Sequence, residues 1–187
     1  MEWLLRSQYL TPETNELAIH WKRMSIDMHD IYQIIQEILI RCGASLTHLL
    51  LEYPRTFPAH DIMGISLQNN TALRDLCLHF TIAYLPMIVF NISTLPPHCI
   101  SRLILQCSDE VLKHTPPSPE WARLDKLLAE GAAFASLTEV VLGSQDSPVD
   151  KERMVQMMPT LNGQNLLTLA VIGGWDWGRD ASDFWVY

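Results

Sequence analysis

Basic residues are scarce in this sequence. Lys and Arg together number 13 against 21 Asp and Glu, giving a formal net charge of −8 and a pI of about 5.2. A phosphate backbone is gripped by a basic face, and the clustered cations, Lys22-Arg23 and Lys151-Glu152-Arg153, are too sparse to make one. No nucleic-acid partner is expected. Long apolar runs are missing too. The most apolar stretch, Ile82 to Phe90, is nine residues long and contains Pro86, well short of the roughly 20 that cross a bilayer. Polar residues interrupt Met1-Glu2-Trp3-Leu4-Leu5-Arg6 before a signal peptide develops, so neither a membrane partner nor secretion is expected and the chain reads as soluble.

The motifs of chemistry are also lacking. Four cysteines, Cys42, Cys77, Cys99 and Cys107, sit among apolar neighbours with no CxxC pair, which argues against a zinc knuckle or a redox motif. They read as buried thiols of a reducing compartment, cytoplasm or nucleus. There is no phosphate loop, nucleophile elbow, zinc-protease helix or dinucleotide fingerprint. Gly131-Ala132-Ala133 and Gly173-Gly174 lack the helix-opening context of such loops and read as turns. No catalytic residue, cofactor or metal site is expected, and the chain is read as a non-enzyme.

What the sequence does contain is a repeat. Hydrophobic residues make up 48% and charged residues 18%, mixed throughout, so the chain should fold, and 187 residues suit one domain. The phrase LxxLxL, with conservative replacements, returns as Leu46-Thr47-His48-Leu49-Leu50-Leu51, Leu73-Arg74-Asp75-Leu76-Cys77-Leu78, Ile100-Ser101-Arg102-Leu103-Ile104-Leu105, Leu137-Thr138-Glu139-Val140-Val141-Leu142 and Leu166-Leu167-Thr168-Leu169-Ala170-Val171. Their first residues lie 27, 27, 37 and 29 positions apart, and the stretch Glu16-Leu17-Ala18-Ile19 supplies a degenerate sixth copy 32 residues before Leu49-Leu50-Leu51. Such a spacing is that of leucine-rich repeats with one insertion.

Each phrase alternates with period two and predicts a strand. Between phrases the period becomes helical. Ile31, Ile35, Ile38 and Cys42 share a face, with Asp30 as cap and Gly43 in the left-handed position that ends a helix. In the long interval Ser118 and Pro119 open a helix with Leu124, Leu127 and Leu128 inward. Asp150 caps a segment with Met154, Met157 and Met158 inward, stopped by Pro159, while Pro86 makes the Ile82 to Ile92 connector irregular or kinked. The fold expected is α/β: a short leucine-rich-repeat-like solenoid with a curved parallel sheet of about six strands and helices or irregular connectors on its convex side. Residues 1–13 form an N-terminal cap or extension, 14–174 the repeat domain, and 175–187 an aromatic, acidic tail. The alternative is a doubly wound α/β enzyme with an unrecognised active site.

The phrase Gly43-Ala44-Ser45-Leu46-Thr47-His48-Leu49, with Trp121-Ala122-Arg123-Leu124-Asp125-Lys126-Leu127-Leu128 and Phe134-Ala135-Ser136-Leu137-Thr138-Glu139-Val140-Val141, resembles the repeat region of fungal F-box proteins, especially those of mushroom-forming fungi, over roughly residues 14 to 173. That resemblance implies a protein-binding scaffold, the substrate-recognition part of an F-box-type ubiquitin ligase receptor. Residues 1–13 are too few for an F-box and none is recognisable, so the Skp adaptor is a partner only where an F-box is supplied elsewhere. The family carries no active-site residues to transfer.

Aligning the phrases predicts three columns of side chains on the concave face, the candidate partner-binding surface. The first is Glu16, His48, Asp75, Arg102, Glu139 and Thr168, and is polar. The second is Ala18, Leu50, Cys77, Ile104, Val141 and Ala170, and is apolar throughout. The third begins His20, Glu52, His79 and Gln106; on a flat sheet these do not converge as zinc ligands must. An apolar stripe of this width is unusual to leave in water. It is read either as a partner site, as a face covered by a terminus of the same chain, or as the buried strands of an ordinary α/β core. The tail from Gly173 to Tyr187 holds Trp175, Trp177 and Trp185, and is read as a cap over the last repeat or as an aromatic peptide that enters a partner or folds back on the stripe.

Overall fold

The computed structural model describes residues 15–20, 28–53, 64–107, 118–144 and 150–171. Each repeated phrase becomes a strand: β1 (Glu16–His20), β2 (His48–Glu52), β3 (Asp75–Phe80), β4 (Arg102–Cys107), β5 (Glu139–Ser144) and β6 (Leu167–Val171). They form one open sheet in sequence order, and every neighbouring pair is parallel. A parallel neighbour is reached only by a crossover. Among the described residues these crossovers carry five helices, α1 (Met28–Cys42), α2 (Leu85–Ser93), α3 (Pro119–Glu130), α4 (Lys151–Met157) and α5 (Pro159–Gly163).

One core joins helices to sheet. Ile35 and Leu39 of α1, Ile88 and Ile92 of α2, Trp121 and Leu124 of α3, and Met154, Met158 and Leu161 pack with the inward strand residues Leu49, Leu51, Leu76, Leu78, Leu103, Leu105, Val140 and Leu142. The described helices therefore lie against one face. A doubly wound sheet reverses its strand order and carries helices on both faces; the six strands here run without reversal.

The repeat is visible as a bond as well as a pattern. The residue before each of β2 to β5 donates its N–H to the carbonyl of its counterpart one strand back: Thr47 to Asn15, Arg74 to Thr47, Ser101 to Arg74 and Thr138 to Ser101, at 2.8 to 2.9 Å. The hydroxyls of Thr47, Ser101 and Thr138 donate to the same carbonyls. Buried amides add a second stitch. Asn70 donates to the carbonyls of Leu39 and Gly43, and Asn91 accepts from Ile65 N–H while donating to the Tyr53 hydroxyl at 2.6 Å.

Several boundaries follow the sequence signals and others depart from them. Gly43 has φ +46°, the left-handed conformation its position after α1 requires. Asp150 caps α4 by accepting from Arg153 N–H. Asp30, expected as a cap, lies inside α1, which already includes Met28. Ser118 precedes α3 in extended conformation, yet its side chain makes no capping bond. Pro86 does not make its connector irregular: it sits in the first turn of α2, where a helix has no use for the missing N–H. Pro159 likewise opens α5 rather than only stopping α4. No helix among the described residues is long and apolar enough to cross a membrane.

Candidate functional site

The second face of the sheet, away from the helices, carries all eleven residues expected to bind a partner. Parallel pairing in unshifted register places His48, Asp75, Arg102 and Glu139 side by side, then Leu50, Cys77, Ile104 and Val141, then Glu52, His79 and Gln106. The structure thus builds three columns. Because side chains alternate along a strand, the same strands send Leu49 and Leu51, or Leu103 and Leu105, into the helix-covered core.

At β6 the expected columns are wrong. Val140 pairs with Leu167, Val141 with Thr168 and Gly143 with Ala170, so Thr168 stands in the second column and Ala170 in the third. Val140 and Leu167 are 27 residues apart, matching the step from His48 to Asp75 and from Asp75 to Arg102. The consecutive Leu166 and Leu167 explain the misalignment, because either one satisfies the phrase. The chain decides between them at Asn165, whose positive φ of 57° ends the turn after α5, and Leu166 then supplies the carbonyl for Val140 N–H.

The first column is half-exposed and internally paired. His48 Nε2 lies 3.0 Å from Asp75 Oδ2, and Arg102 Nε donates to Glu139 Oε2 at 3.2 Å. The Thr47 hydroxyl, 2.8 Å from Nδ1, holds the other side of the His48 ring. In the third column His79 Nδ1 comes within 3.4 Å of Glu52 Oε1. The side chain of His20 lies outside the described residues, and among those described no three His, Cys, Asp or Glu groups converge as metal ligands.

Exposure departs from expectation in the second and third columns. Leu50, Cys77, Ile104 and Val141 are only 4, 0, 7 and 7% exposed and form an apolar cluster of their own, joined by Ala170. His79 and Gln106 are buried as well. Ala18, expected to continue the stripe, is exposed on β1 although it pairs with Leu50. Burial pushes the Cys77 thiol well above its ordinary value, with the nearby Arg102 charge opposing weakly; the thiolate that nucleophilic chemistry requires is disfavoured. The four cysteines are all free and buried, three of them against the helix-side core.

The sequence reading did not single out the buried polar residues that stitch the repeats, Asn70, Asn91 and Asp125. Asp125 on α3 accepts from the N–H groups of both Thr160 and Leu161 at the start of α5. A possible signal was positional: Asn70 falls 27 residues after Gly43, the residue whose carbonyl it binds. Compared with protein-family models and with curated proteins, the chain finds no match.

Proposed function

We propose that this chain is a non-catalytic protein-interaction scaffold, a short leucine-rich-repeat-like solenoid whose second sheet face receives a protein partner. One observation carries the reading: on a face that no described helix covers, four successive strands align an apolar stripe, Leu50, Cys77, Ile104 and Val141, beside a self-paired polar column. Stacked repeats spend one face on their common core and leave the other for recognition. The 27-residue step, repeated carbonyl bonds and sequential strand order support the solenoid. The inert environment of Cys77 supports a binding rather than a catalytic use of the face.

The resemblance to fungal F-box repeats takes the reading further, to substrate recognition for a cullin-based ubiquitin ligase in cytoplasm or nucleus. The Skp adaptor joins only where an F-box is supplied elsewhere.

The test is affinity purification from native cells with three versions of the chain. In the first the sequence is unchanged; in the second Arg102→Glu and Glu139→Arg are combined, which keeps the ion pair and reverses its polarity; in the third Arg123→Glu alters an exposed residue of α3. Recurrent proteins are expected with the first and third and lost with the second. Retention by the second would remove the face from the proposal. Absence of the Skp adaptor from every sample would remove the ligase and leave the scaffold.

A further inference from the structure

The sheet is open, and its two edges are not alike. At β6 the Leu166 carbonyl accepts from Val140 N–H, and Val140 pairs with Leu167. In a parallel ladder alternate residues bond to a given neighbour. Thr168 and Ala170 therefore turn their backbone groups to β5, while the N–H and C=O of Leu167, Leu169 and Val171 point outward. Among the described residues no strand lies beyond β6. The core thins there too. The inward residues of β2 to β5 are 0 to 1% exposed, whereas Leu167 and Leu169, next in the same rows, are only half-buried.

An open edge is a template for another strand, and folded proteins blunt it with charge, proline or a bulge. β1 opens on the exposed Glu16. β6 is Leu167-Thr168-Leu169-Ala170-Val171, with neither charge nor proline, and its register with β5 runs without a bulge. Charge also bears on which strand it meets. The chain carries a net −8, so two copies repel over most of their surface, and an uncharged edge is where they approach without like charges in contact. A two-fold arrangement uses β6 of both copies and closes, whereas β6 on β1 of another copy leaves free edges and grows without limit.

We infer that two copies of this chain pair through β6, antiparallel about a two-fold axis at Leu169, joining their sheets edge to edge. The outward groups match themselves in reverse: Leu169 bonds Leu169 of the second copy, and Leu167 bonds Val171. Paired residues on antiparallel strands share a face. The Leu169 side chains therefore meet on the helix side, which completes the thin end of the core, and Thr168 stands opposite Ala170 of the second copy on the other side. One strand pair is a small interface, so the dimer is of the weak, micromolar class. The two second faces become continuous across the axis, so that one dimer presents two sites side by side; this consequence alone rests on the scaffold reading above.

Light scattering after gel filtration, from about 1 to 100 µM, should show mass rising from 21.4 kDa to twice that value and stopping. Leu169→Pro removes an outward N–H and leaves the bonds to β5, and is expected to stay monomeric; Leu169→Ala keeps the N–H and is expected to dimerise. A second pair of variants tests register without proline. Thr168→Glu with Ala170→Glu sets acids opposite each other across the axis and should weaken the dimer about tenfold or more, whereas Thr168→Glu with Ala170→Lys sets opposite charges together and should return it to within about threefold. A monomer at about 100 µM, growth past the dimer, or equal dimerisation of the two charge variants would overturn the inference. No other protein enters the experiment, so its failure leaves the scaffold reading intact, and failure of the purification leaves the dimer intact.

Discussion

Leu103 and Ile104 are adjacent on β4 and point to opposite faces, so truncating each to Ala weighs the two faces against each other. Leu103 is fully buried between sheet and helices. Leu103→Ala removes three carbons from a closed core and should cost about 3 kcal/mol, within the usual range of about 2 to 5 for such truncations. Ile104 loses the same number of carbons from the second face. If the stripe is covered, transfer alone gives about 0.8 kcal/mol per methylene-sized group, about 2.4 kcal/mol in all. If the face were bare, roughly half of that surface would already be wet and the cost would fall to about 1 kcal/mol.

The assay is urea denaturation followed by far-ultraviolet circular dichroism, with the dependence on denaturant unchanged so that the midpoints report stability. A cost near 3 kcal/mol for Leu103→Ala with less than about 1 kcal/mol for Ile104→Ala would refute the covered face.

Three further outcomes follow from particular contacts. Asp125→Ala leaves two N–H groups at the start of α5 without their carboxylate acceptor; it should cost about 3 kcal/mol or more in the same denaturation assay, and Asp125→Asn, which keeps one acceptor oxygen, about half as much. Gly43→Ala should cost about 1 kcal/mol through its positive φ alone, since a Cβ there meets no atom within 4 Å. At Gly131 a Cβ would stand 2.3 Å from the Leu127 carbonyl, so Gly131→Ala should be clearly worse than Gly43→Ala. Burial raises the Cys77 thiol above its ordinary value of 9.0, so above that pH the unfolded chain loses a proton that the folded chain keeps, and stability is full below about pH 9 and falls as pH rises past it. Between pH 8 and pH 10 the wild type should lose about 1.4 kcal/mol more than Cys77→Ala does; equal losses would contradict the burial.

The strands were legible because their pattern is doubly constrained. In Leu46-Thr47-His48-Leu49-Leu50-Leu51, alternation fixes which residues face the helices, and the return of the phrase 27 residues later fixes the register, so the columns from β2 to β5 could be aligned without coordinates. Legibility failed where one constraint was lost. Leu166-Leu167 fits the phrase in two frames, and the pairing of Leu167 with Val140 selects between them. Pro86 was misread because proline marks a helix start and a helix break with the same letter, and which applies depends on where the preceding strand ends. The buried condition of the second column was illegible for another reason. A residue's place on a face is local, whereas its burial depends on everything packed around it in three dimensions, and Cys77 reads the same in sequence whether buried or exposed.

The size and charge of the second face limit what can occupy it. Six strands about 4.8 Å apart and three columns about 6.6 Å apart give roughly 24 by 13 Å, on the order of 300 Å². A stable complex of two globular surfaces buries about 800 Å² on each side, so this face is matched to an extended segment rather than to a domain. Charge narrows the choice again. Along the first column the residues run Glu16, His48, Asp75, Arg102, Glu139, alternating so that His48 meets Asp75 and Arg102 meets Glu139. Such half-exposed pairs add little to stability, about 0 to 1 kcal/mol each. Their effect on recognition is larger, because a charged partner would have to compete with an internal counterion at each step. Affinity must then come from the apolar stripe, with the paired column setting register and rejecting unmatched charge. An extended segment with apolar side chains at alternate positions satisfies both limits.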